Sequence, residues 1–284
     1  MIMFVFSKYY WQDHFSVLVA LKSLFAALGL LWGLVEAVAF FSEEIGNSLK
    51  SSGWAYVASA FVLAVIWTLI ETRPTLFVAG QPRRTETAIS LRVGDILQLD
   101  RDHAIVVSSN TKFALKVGTS SVQAQCLKKY FDNDKDRLGG LLQEQLRSVD
   151  ADANGEYPIG TVARIKLQSG PKLYFLAVAS KNELDKSVTT ILNVNAALPE
   201  LWKFLSLQGD VSRLAIPLFG TGRGMLATPR EEVLDLIIKT YLSASAERRF
   251  CPSLTVAVSP NDHRRNNVSI ETFSKILDYH CHFS

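Results

Sequence analysis

The sequence is short of cysteine and of concentrated charge, and both shortages narrow its function. Its three cysteines, Cys126, Cys251 and Cys281, form no CxxC pair and are odd in number. We therefore expect neither a disulfide scaffold nor a zinc ribbon, and free thiols indicate a reducing compartment. The formal net charge is +3 without a block of like charges, so no nucleic-acid partner is expected.

Motifs for metals and common cofactors are also missing. His280, Cys281 and His282 are adjacent and have no upstream partner motif, so we expect no metal site and no bound cofactor. No Gly-Lys-Ser/Thr follows the one glycine-rich loop, which excludes a P-loop, and the G-x-G-x-x-G fingerprint of dinucleotide-binding folds is not met. Internal repeats and low-complexity stretches are absent as well.

Two long apolar runs, residues 17–41 and 54–70, occupy the N-terminal part of the chain. As helices they are about 37 Å and about 25 Å long, against a hydrocarbon core of about 30 Å. Two alternatives remain open. The first run could be a signal peptide cleaved near Ala37-Val38-Ala39, and the second could be a buried core helix. Their length and the absence of charge in the second run favour two membrane spans.

The distribution of basic residues predicts the orientation of these spans. The polar link between them has one basic residue, Lys50, whereas four arginines follow the second run: Arg73, Arg83, Arg84 and Arg92. The positive-inside rule then places both the N-terminus and the C-terminal body in the cytoplasm. We expect a transmembrane hairpin over residues 1–73 and a cytosolic domain over residues 74–284.

Glu36 is a candidate functional residue of the first span. It lies about one and a half turns from Phe41, so it can extend towards the interface, or it can face a neighbouring helix or an aqueous lumen in an oligomer. Gly29 and Gly33 form a GxxxG spacing, which allows close helix packing either between subunits or within one hairpin.

The remaining sequence alternates short β-branched runs with helical patterns. Strands are predicted near residues 103–108, 161–167, 173–179, 213–219 and 254–258, and helices near residues 121–131, 138–147, 188–207, 229–245 and 270–280. Ser169-Gly170-Pro171 is placed as a hairpin connection would be. This alternation predicts an α/β fold, with a mixed sheet covered on both faces by helices.

A glycine-rich loop carries the most chemical information. The strand ending at Phe219 runs into Gly220-Thr221-Gly222-Arg223-Gly224-Met225, whose backbone N–H groups and Arg223 suit a diphosphate. The following Thr228-Pro229-Arg230-Glu231 has the form of a capping box with proline at the first helical position. A tight connection that binds no ligand would show the same pattern.

Two further segments give this region a family resemblance. The chain resembles a macro domain from about residue 89 onward. The resemblance lies in Val93-Gly94-Asp95-Ile96, which precedes a strand ending at Asn110, and in Ile216 to Gly222. The resemblance implies that Asp95 and Ile96 read an adenine amine, that Asn110 contacts the distal ribose of ADP-ribose, and that the glycine-rich loop wraps its diphosphate. The implied ligand-binding residues are Asp95, Ile96, Asn110, Thr111, Thr119, Ser120, Leu218, Phe219, Gly220, Thr221, Gly222, Arg223, Gly224 and Met225.

Two of these residues also have simpler interpretations, and the segment departs from the family. Asp95 could cap a turn, and Asn110 could be a turn residue at the end of a strand. The usual alanines and asparagines are replaced by Ser108-Ser109-Asn110-Thr111, and the first glycine-rich loop is reduced to residues 118–121. These departures argue against hydrolase activity, and no catalytic residue is predicted.

Two further features make the family resemblance more specific. They are the segment Leu198-Pro199-Glu200-Leu201-Trp202 and the predicted transmembrane hairpin before the macro-like domain. The chain resembles the transmembrane macro-domain effectors of type II Thoeris anti-phage systems. That resemblance implies a bacterial inner-membrane protein that binds histidine-ADP-ribose made by a partner TIR-domain enzyme. It further implies assembly into a homo-oligomer and disruption of the bilayer, with abortive infection as the outcome. The alternatives are a membrane-tethered hydrolase of ADP-ribosyl groups and a channel gated by another signal.

Overall fold

The computed structural model describes residues 17–42, 44, 53–71, 77–82, 86–99, 103–115, 121–181, 186–208, 211–220, 226–260, 263 and 269–283. The chain divides into two compact units, Met1–Thr75 and Leu76–Ser284. This division lies two residues from the boundary predicted from the sequence.

In the first unit, the described residues include two long helices, α1 (Val17–Phe41) and α2 (Gly53–Glu71), which pack against each other. By length and composition, both are long and apolar enough to cross a membrane. Their buried residues are small: Ser23 and Ala27 on α1, and Ala60, Ala64 and Thr68 on α2. Small side chains let two helix backbones approach closely, and this explains the tight hairpin.

A different side of α1 carries the glycine pair. Nothing lies within 4 Å of the position that a Cβ would take at Gly29 or Gly33, so neither glycine packs against α2. Because successive helix residues turn by about 100°, these glycines and the exposed Glu36 share one stripe, turned away from Ser23 and Ala27. The hairpin therefore does not use the GxxxG spacing for its own packing.

The second unit is built on one mixed sheet. Its strands are β1 (Phe77–Gly80), β2 (Ala88–Val93), β3 (Ala104–Asn110), β4 (Val162–Lys166), β5 (Lys172–Lys181), β6 (Ser187–Val188), β7 (Arg213–Pro217) and β8 (Ser253–Val258). The strand order is β1-β2-β8-β7-β3-β5-β4, and β6 pairs with β5. The five central strands run parallel, whereas β1, β4 and β6 pair antiparallel to their neighbours.

Helices cover both faces of the sheet. They are α3 (Val122–Phe131), α4 (Lys135–Leu146), α5 (Ile191–Gln208), α6 (Arg230–Glu247) and α7 (Ile270–Phe283), with a 3-10 helix at Ile96–Gln98. One apolar core joins the sheet to α5, α6 and α7, and a second core on the opposite face joins it to α3, α4 and the 3-10 helix. The central strands are buried on both sides, as parallel strands require.

The predicted three-layer α/β fold is confirmed, as is the hairpin between β4 and β5. All five predicted strands and all five predicted helices occur, within a few residues of their expected limits. The capping box is wrong. Pro229 occupies the N-cap with an extended ψ of 144° and without a side-chain cap hydrogen bond, so α6 begins one residue later than Thr228 would require.

An aromatic cluster connects α5 to α6. Trp202 is buried, and its Nε1 donates to Thr240 Oγ1 at 3.0 Å. Tyr241 packs edge-on against Trp202, and its hydroxyl donates to the Cys251 carbonyl oxygen at 2.6 Å. Both polar tips are therefore satisfied inside the core, which explains how these large side chains can be fully buried.

All three cysteines are buried and free, as the odd number predicted. Burial raises the pKa of the Cys126 thiol from 9.0 to about 12, although nearby Lys129 lowers it in part. Burial likewise raises the pKa of Cys251 to about 11. The pKa of the Cys126 thiol is higher in the folded chain than in the unfolded chain, so the folded state is favoured as long as this thiol stays protonated. That contribution to stability is fully present below about pH 9 and is lost as the pH rises towards 12.

We expect the stability of the second unit, Leu76–Ser284, to fall between pH 8 and pH 11. Ionisation of Cys126 in the unfolded chain contributes about 2 kcal/mol of that fall. The measurement is denaturant unfolding of the detergent-solubilised chain, followed by tryptophan fluorescence at both pH values. Cys126→Ala should show a smaller difference between the two pH values, whatever its absolute stability. An unchanged difference would contradict the assignment.

Candidate functional site

The chain connections run to opposite sides of the sheet from two neighbouring strands, β3 and β7. From β3 the chain continues through α3 and α4 to β4 and β5 on one side, whereas from β7 it continues through α6 to β8 on the other. In open α/β sheets, such a divergence leaves a crevice outside the carboxyl ends of the two strands, and ligands bind there. The topology alone therefore places the candidate site beside Asn110 and the loop after Pro217.

The pairing between these two strands reinforces the crevice. Over their described residues, 104–110 and 213–217, β3 and β7 pair only at Ala104↔Leu214 and Ile105↔Ala215. By contrast, β3 pairs with β5 as far as Asn110↔Ala179. The two strands thus stay paired at their amino ends and part towards their carboxyl ends, where the ligand loops begin.

The ends of the glycine-rich loop are held by Arg230. Gly220 has a φ of +78°, and a Cβ there would collide with the side chain of Leu226. From the first turn of α6, Arg230 Nη2 donates to the Gly220 carbonyl oxygen at 2.8 Å, and Nη1 donates to the Leu226 carbonyl oxygen at 3.3 Å. One guanidinium therefore fastens both residues that flank residues 221–225.

Asp95 follows β2 at the same edge of the sheet. Its Oδ1 accepts from the backbone N–H of Leu97 at 2.9 Å and caps the 3-10 helix Ile96–Gln98. Lys129 on α3 donates to the Leu97 carbonyl oxygen, so the turn is held from both ends. A carboxylate offers about four lone-pair sites, so this cap does not preclude the contact with an adenine amine, which stays a prediction.

Asn110 closes the turn after β3. It is 5% exposed, and its Oδ1 accepts from the backbone N–H groups of Lys112 and Ala114 at 3.0 and 3.1 Å. Its Nδ2 donates to the Ala114 carbonyl oxygen over a longer 3.5 Å. The alternative interpretation as a turn residue therefore describes this structure, and a predicted ribose contact would fall to Nδ2.

Thr111 connects the same turn to the segment before β4. Its N–H donates to the Ala179 carbonyl oxygen at 2.9 Å, and its Oγ1 donates to Glu156 Oε2 at 2.8 Å. Thr111 is buried, yet it lies directly at the strand end where a ligand is expected. It is positioned by two independent hydrogen bonds.

Three other predicted residues have buried side chains. Ile96 belongs to the core under α3 and α4, and Leu218 and Phe219 belong to the core under α6. The N–H of Leu218 donates to the Ala257 carbonyl oxygen at 2.9 Å. These residues can shape the site through their backbone, while their side chains fill the core.

The other predicted ligand residues lie outside the described residues. They are Thr119, Ser120, Thr221, Gly222, Arg223, Gly224 and Met225. Their ligand contacts stay predictions. Within the described part of the chain, no group of three His, Cys, Asp or Glu side chains is placed to hold a metal ion.

The family model for the macro domain of the Thoeris protein ThsA matches residues 89–259, more than half of the chain. The chain belongs to the ThsA macro-domain family. The resemblance seen in the sequence is thereby confirmed. No curated protein sequence is significantly similar to this ThsA-family chain.

Solved structures agree on the fold. The Oceanobacillus iheyensis macrodomain with ADP is 16% identical, with a TM-score of 0.51, over 72% of this chain and 96% of its own. The same macrodomain with MES bound is 17% identical, with a TM-score of 0.50, over 72% of this chain and 97% of its own. At such identities these similarities establish the macro fold of this ThsA-family chain and nothing beyond it.

Sequence reasoning missed the residues that position the site of this ThsA-family chain. The sequence analysis placed Arg230 only in a capping box, and it predicted no role at the site for Lys129 or Glu156. Each acts on a backbone or side chain that is distant in sequence, at separations of 10, 32 and 45 residues. The available signal for Arg230 was a basic residue at the start of the helix that follows the glycine-rich loop.

Arg230→Met should loosen the glycine-rich loop, because both carbonyl oxygens lose their charged donor. We expect faster amide hydrogen exchange over residues 220–226 and a roughly tenfold loss of nucleotide affinity, since hydrogen bonds to charged groups contribute about 1.5–3 kcal/mol. Arg213→Met, on an exposed residue of β7, is the matched control. Unchanged exchange in Arg230→Met would show that the guanidinium does not hold the loop.

Proposed function

We propose that this protein is a membrane-anchored effector of bacterial anti-phage defence that senses an ADP-ribose-derived nucleotide through its macro domain. Binding drives oligomerisation, and the assembled hairpins disrupt the inner membrane. The signal is a conjugate such as histidine-ADP-ribose, supplied by a partner TIR-domain protein. The protein acts as a receptor rather than an enzyme. The observation that carries the proposal is the short pairing between β3 and β7, at the point where the chain connectivity diverges, in a member of the ThsA macro-domain family.

The order of the candidate residues across the sheet supports an ADP-ribose ligand. Asp95 follows β2, Gly220 follows β7 and Asn110 follows β3, and β7 lies between the other two strands in the sheet. Adenine, diphosphate and distal ribose occur in the same order along ADP-ribose. A carboxylate can accept from the adenine amine at one end, and an amide can bond ribose hydroxyls at the other.

Two helix starts support the diphosphate position. α3 begins at Val122 after β3, and α6 begins at Arg230 after β7, so both N-termini lie at the carboxyl edge of the sheet. Helix N-termini carry partial positive charge and favour anions. The positive φ of Gly220 also turns the start of the loop into a conformation that only glycine adopts readily.

The open stripe of α1 supports assembly through the membrane unit. Gly29 and Gly33 are not used by the hairpin, so a second copy can approach the helix backbone there. Glu36 lies exposed on that stripe, and ionisable groups within spans are usually sheltered from lipid by neighbouring helices or an aqueous lumen. A nucleotide can drive this assembly only if it binds the assembled state more tightly than the resting state.

Calorimetric titration of the detergent-solubilised chain with ADP-ribose tests the receptor. We expect Asp95→Ala to weaken binding at least tenfold, because it removes a charged acceptor and the cap of the 3-10 helix. Asp134→Ala is a matched control, since Asp134 also caps a helix, through its contact with the Arg137 N–H at 2.9 Å. Equal affinities in the two variants would remove Asp95 from the site.

The same preparation separates the receptor from the alternative, a membrane-tethered hydrolase of ADP-ribosyl groups. Incubation with ADP-ribosylated protein and with the histidine conjugate should yield stoichiometric binding, a change in oligomer size and no released ADP-ribose. Multiple turnovers would establish the hydrolase instead. The readout is chromatographic separation of free nucleotide, with oligomer size measured by light scattering.

Liposome leakage tests the membrane step. We expect Gly33→Leu to abolish nucleotide-triggered dye release while nucleotide binding persists, because the larger side chain holds two α1 helices apart. Gly53→Leu is the control, since the space beside this glycine at the start of α2 is equally open. Full leakage by Gly33→Leu would exclude the open stripe as the contact between copies.

A further inference from the structure

The helix α1 contains two ionisable side chains, and both lie on its open side. They are Lys22 and Glu36, and every other residue from Val17 to Phe41 is uncharged. At about 100° per residue, their separation in the sequence is about 40° short of four full turns, so both project in nearly the same direction. Both are exposed, on the side that carries Gly29 and Gly33. One side of an otherwise apolar helix therefore holds all of its charge.

The two charges lie near opposite ends of the helix. Each is about one and a half turns from its own helix end, Val17 or Phe41, and Gly29 lies midway between them. In a hydrocarbon core about 30 Å thick, a helix centred on Gly29 places each charged residue about 5 Å inside one boundary. The Cα atoms of Lys22 and Glu36 are then about 21 Å apart along the helix axis.

A shared orientation of the copies prevents these charges from neutralising each other. The predicted topology gives every copy the same orientation, so every Lys22 lies at one depth and every Glu36 at the other. The distance of about 21 Å between the two depths is far longer than the 4 Å or less of an ion pair. Like charges therefore gather at each depth, and ionisable groups within spans that have no opposite charge face a water-filled cavity.

Assembly through the open side determines where this water lies. Copies that meet through Gly29 and Gly33 turn that side towards the centre of the assembly, and its charges turn with it. The centre then contains a ring of Lys22 ammonium groups near one boundary and a ring of Glu36 carboxylates near the other. Rings of charged side chains determine which ions enter a pore. Gly29, at the midpoint, adds no side chain that would close the path between the two rings.

We propose that the assembled hairpins enclose an aqueous pore, with Lys22 at its cytoplasmic mouth and Glu36 at its outer mouth, and that this pore rectifies ionic current. The proposal rests on the proposed function, because it requires assembly in the membrane. Anions gather at the Lys22 ring and cations at the Glu36 ring. When the outer side is positive, both kinds of ion move from their own mouth towards the middle, so the pore fills with carriers. The opposite voltage empties the middle and lowers the current.

This polarity has a consequence for a living cell. A membrane potential that is negative inside makes the outer mouth positive, which is the conducting direction of the proposed pore. The arrangement of Lys22 and Glu36 therefore favours discharge of the potential that a cell maintains.

Current recordings from the full chain in planar lipid bilayers test the pore. Synthetic histidine-ADP-ribose is added to one compartment, so that only copies whose second unit faces that compartment open and all open pores share one orientation. At about 0.1 M KCl, we expect about threefold more current when the opposite compartment is positive than when it is negative. The ratio should fall towards one at about 1 M KCl, where the Debye length is about 3 Å.

Two double variants change the rings in different ways. Lys22→Glu combined with Glu36→Lys should invert the ratio, because it exchanges the two rings. Lys22→Gln combined with Glu36→Gln should bring the ratio close to one. The ratio is measured within single pores, so it does not depend on how many pores form, and poor insertion of one variant leaves the other to decide.

Glu71→Gln is the matched control. Glu71 is an exposed carboxylate at the end of α2 and does not lie on α1. This variant also removes one charge at a helix end, and its ratio should stay about threefold, because an exposed charge outside the pore is screened by salt.

The outcomes distinguish the pore from the proposed function. In the unmodified chain at low salt, currents that are equal at both polarities, or larger at the other polarity, overturn the paired rings while nucleotide-triggered conductance stands. An unchanged ratio in either double variant overturns them as well. Absence of any nucleotide-triggered current in the unmodified chain overturns the proposed membrane step and the pore together.

Discussion

The short pairing between β3 and β7 is the constraint on which the site depends. Backbone hydrogen bonds hold the two strands together at their amino ends, and the chain leaves them in opposite directions at their carboxyl ends. A crevice at this position is therefore expected from the connectivity alone, before any side chain is considered. Side chains then refine it: Arg230 fastens the loop after β7, and Asn110 and Thr111 fix the turn after β3.

The turns at the carboxyl edge of the sheet are fixed by hydrogen bonds. Asp95, Asn110 and Thr111 each make hydrogen bonds that fix a turn, so these candidate side chains are already oriented. Such pre-organisation reduces the entropy that is lost on binding. In the first unit, one side of α1 is packed on α2, while the side that carries Gly29 and Gly33 stays open.

Much of this architecture could be predicted from the sequence, and the failures have physical causes. The buried strands and amphipathic helices are dictated by apolar periodicity, and the family was recognisable from the segments around Asp95 and Gly220. β2 was not predicted as a strand, although Ile89, Leu91 and Val93 alternate with less buried residues in the pattern of a half-buried strand. Its place beside β8 could not be predicted, because the two strands are far apart in the sequence. The roles of Lys129 and Arg230 could not be read, since each depends on a carbonyl oxygen that only the tertiary fold brings near.

The contacts of β1 have a consequence for biosynthesis. A Cβ on Gly80 would collide with Cys281 and Leu277, so the first strand of the second unit is closely covered by α7. β2 likewise pairs with β8, more than 150 residues later. The apolar hairpin emerges from the ribosome long before these partners, and contacts so distant in sequence form slowly. The second unit can therefore complete its fold only after α7, the last helix to be synthesised, has docked on β1.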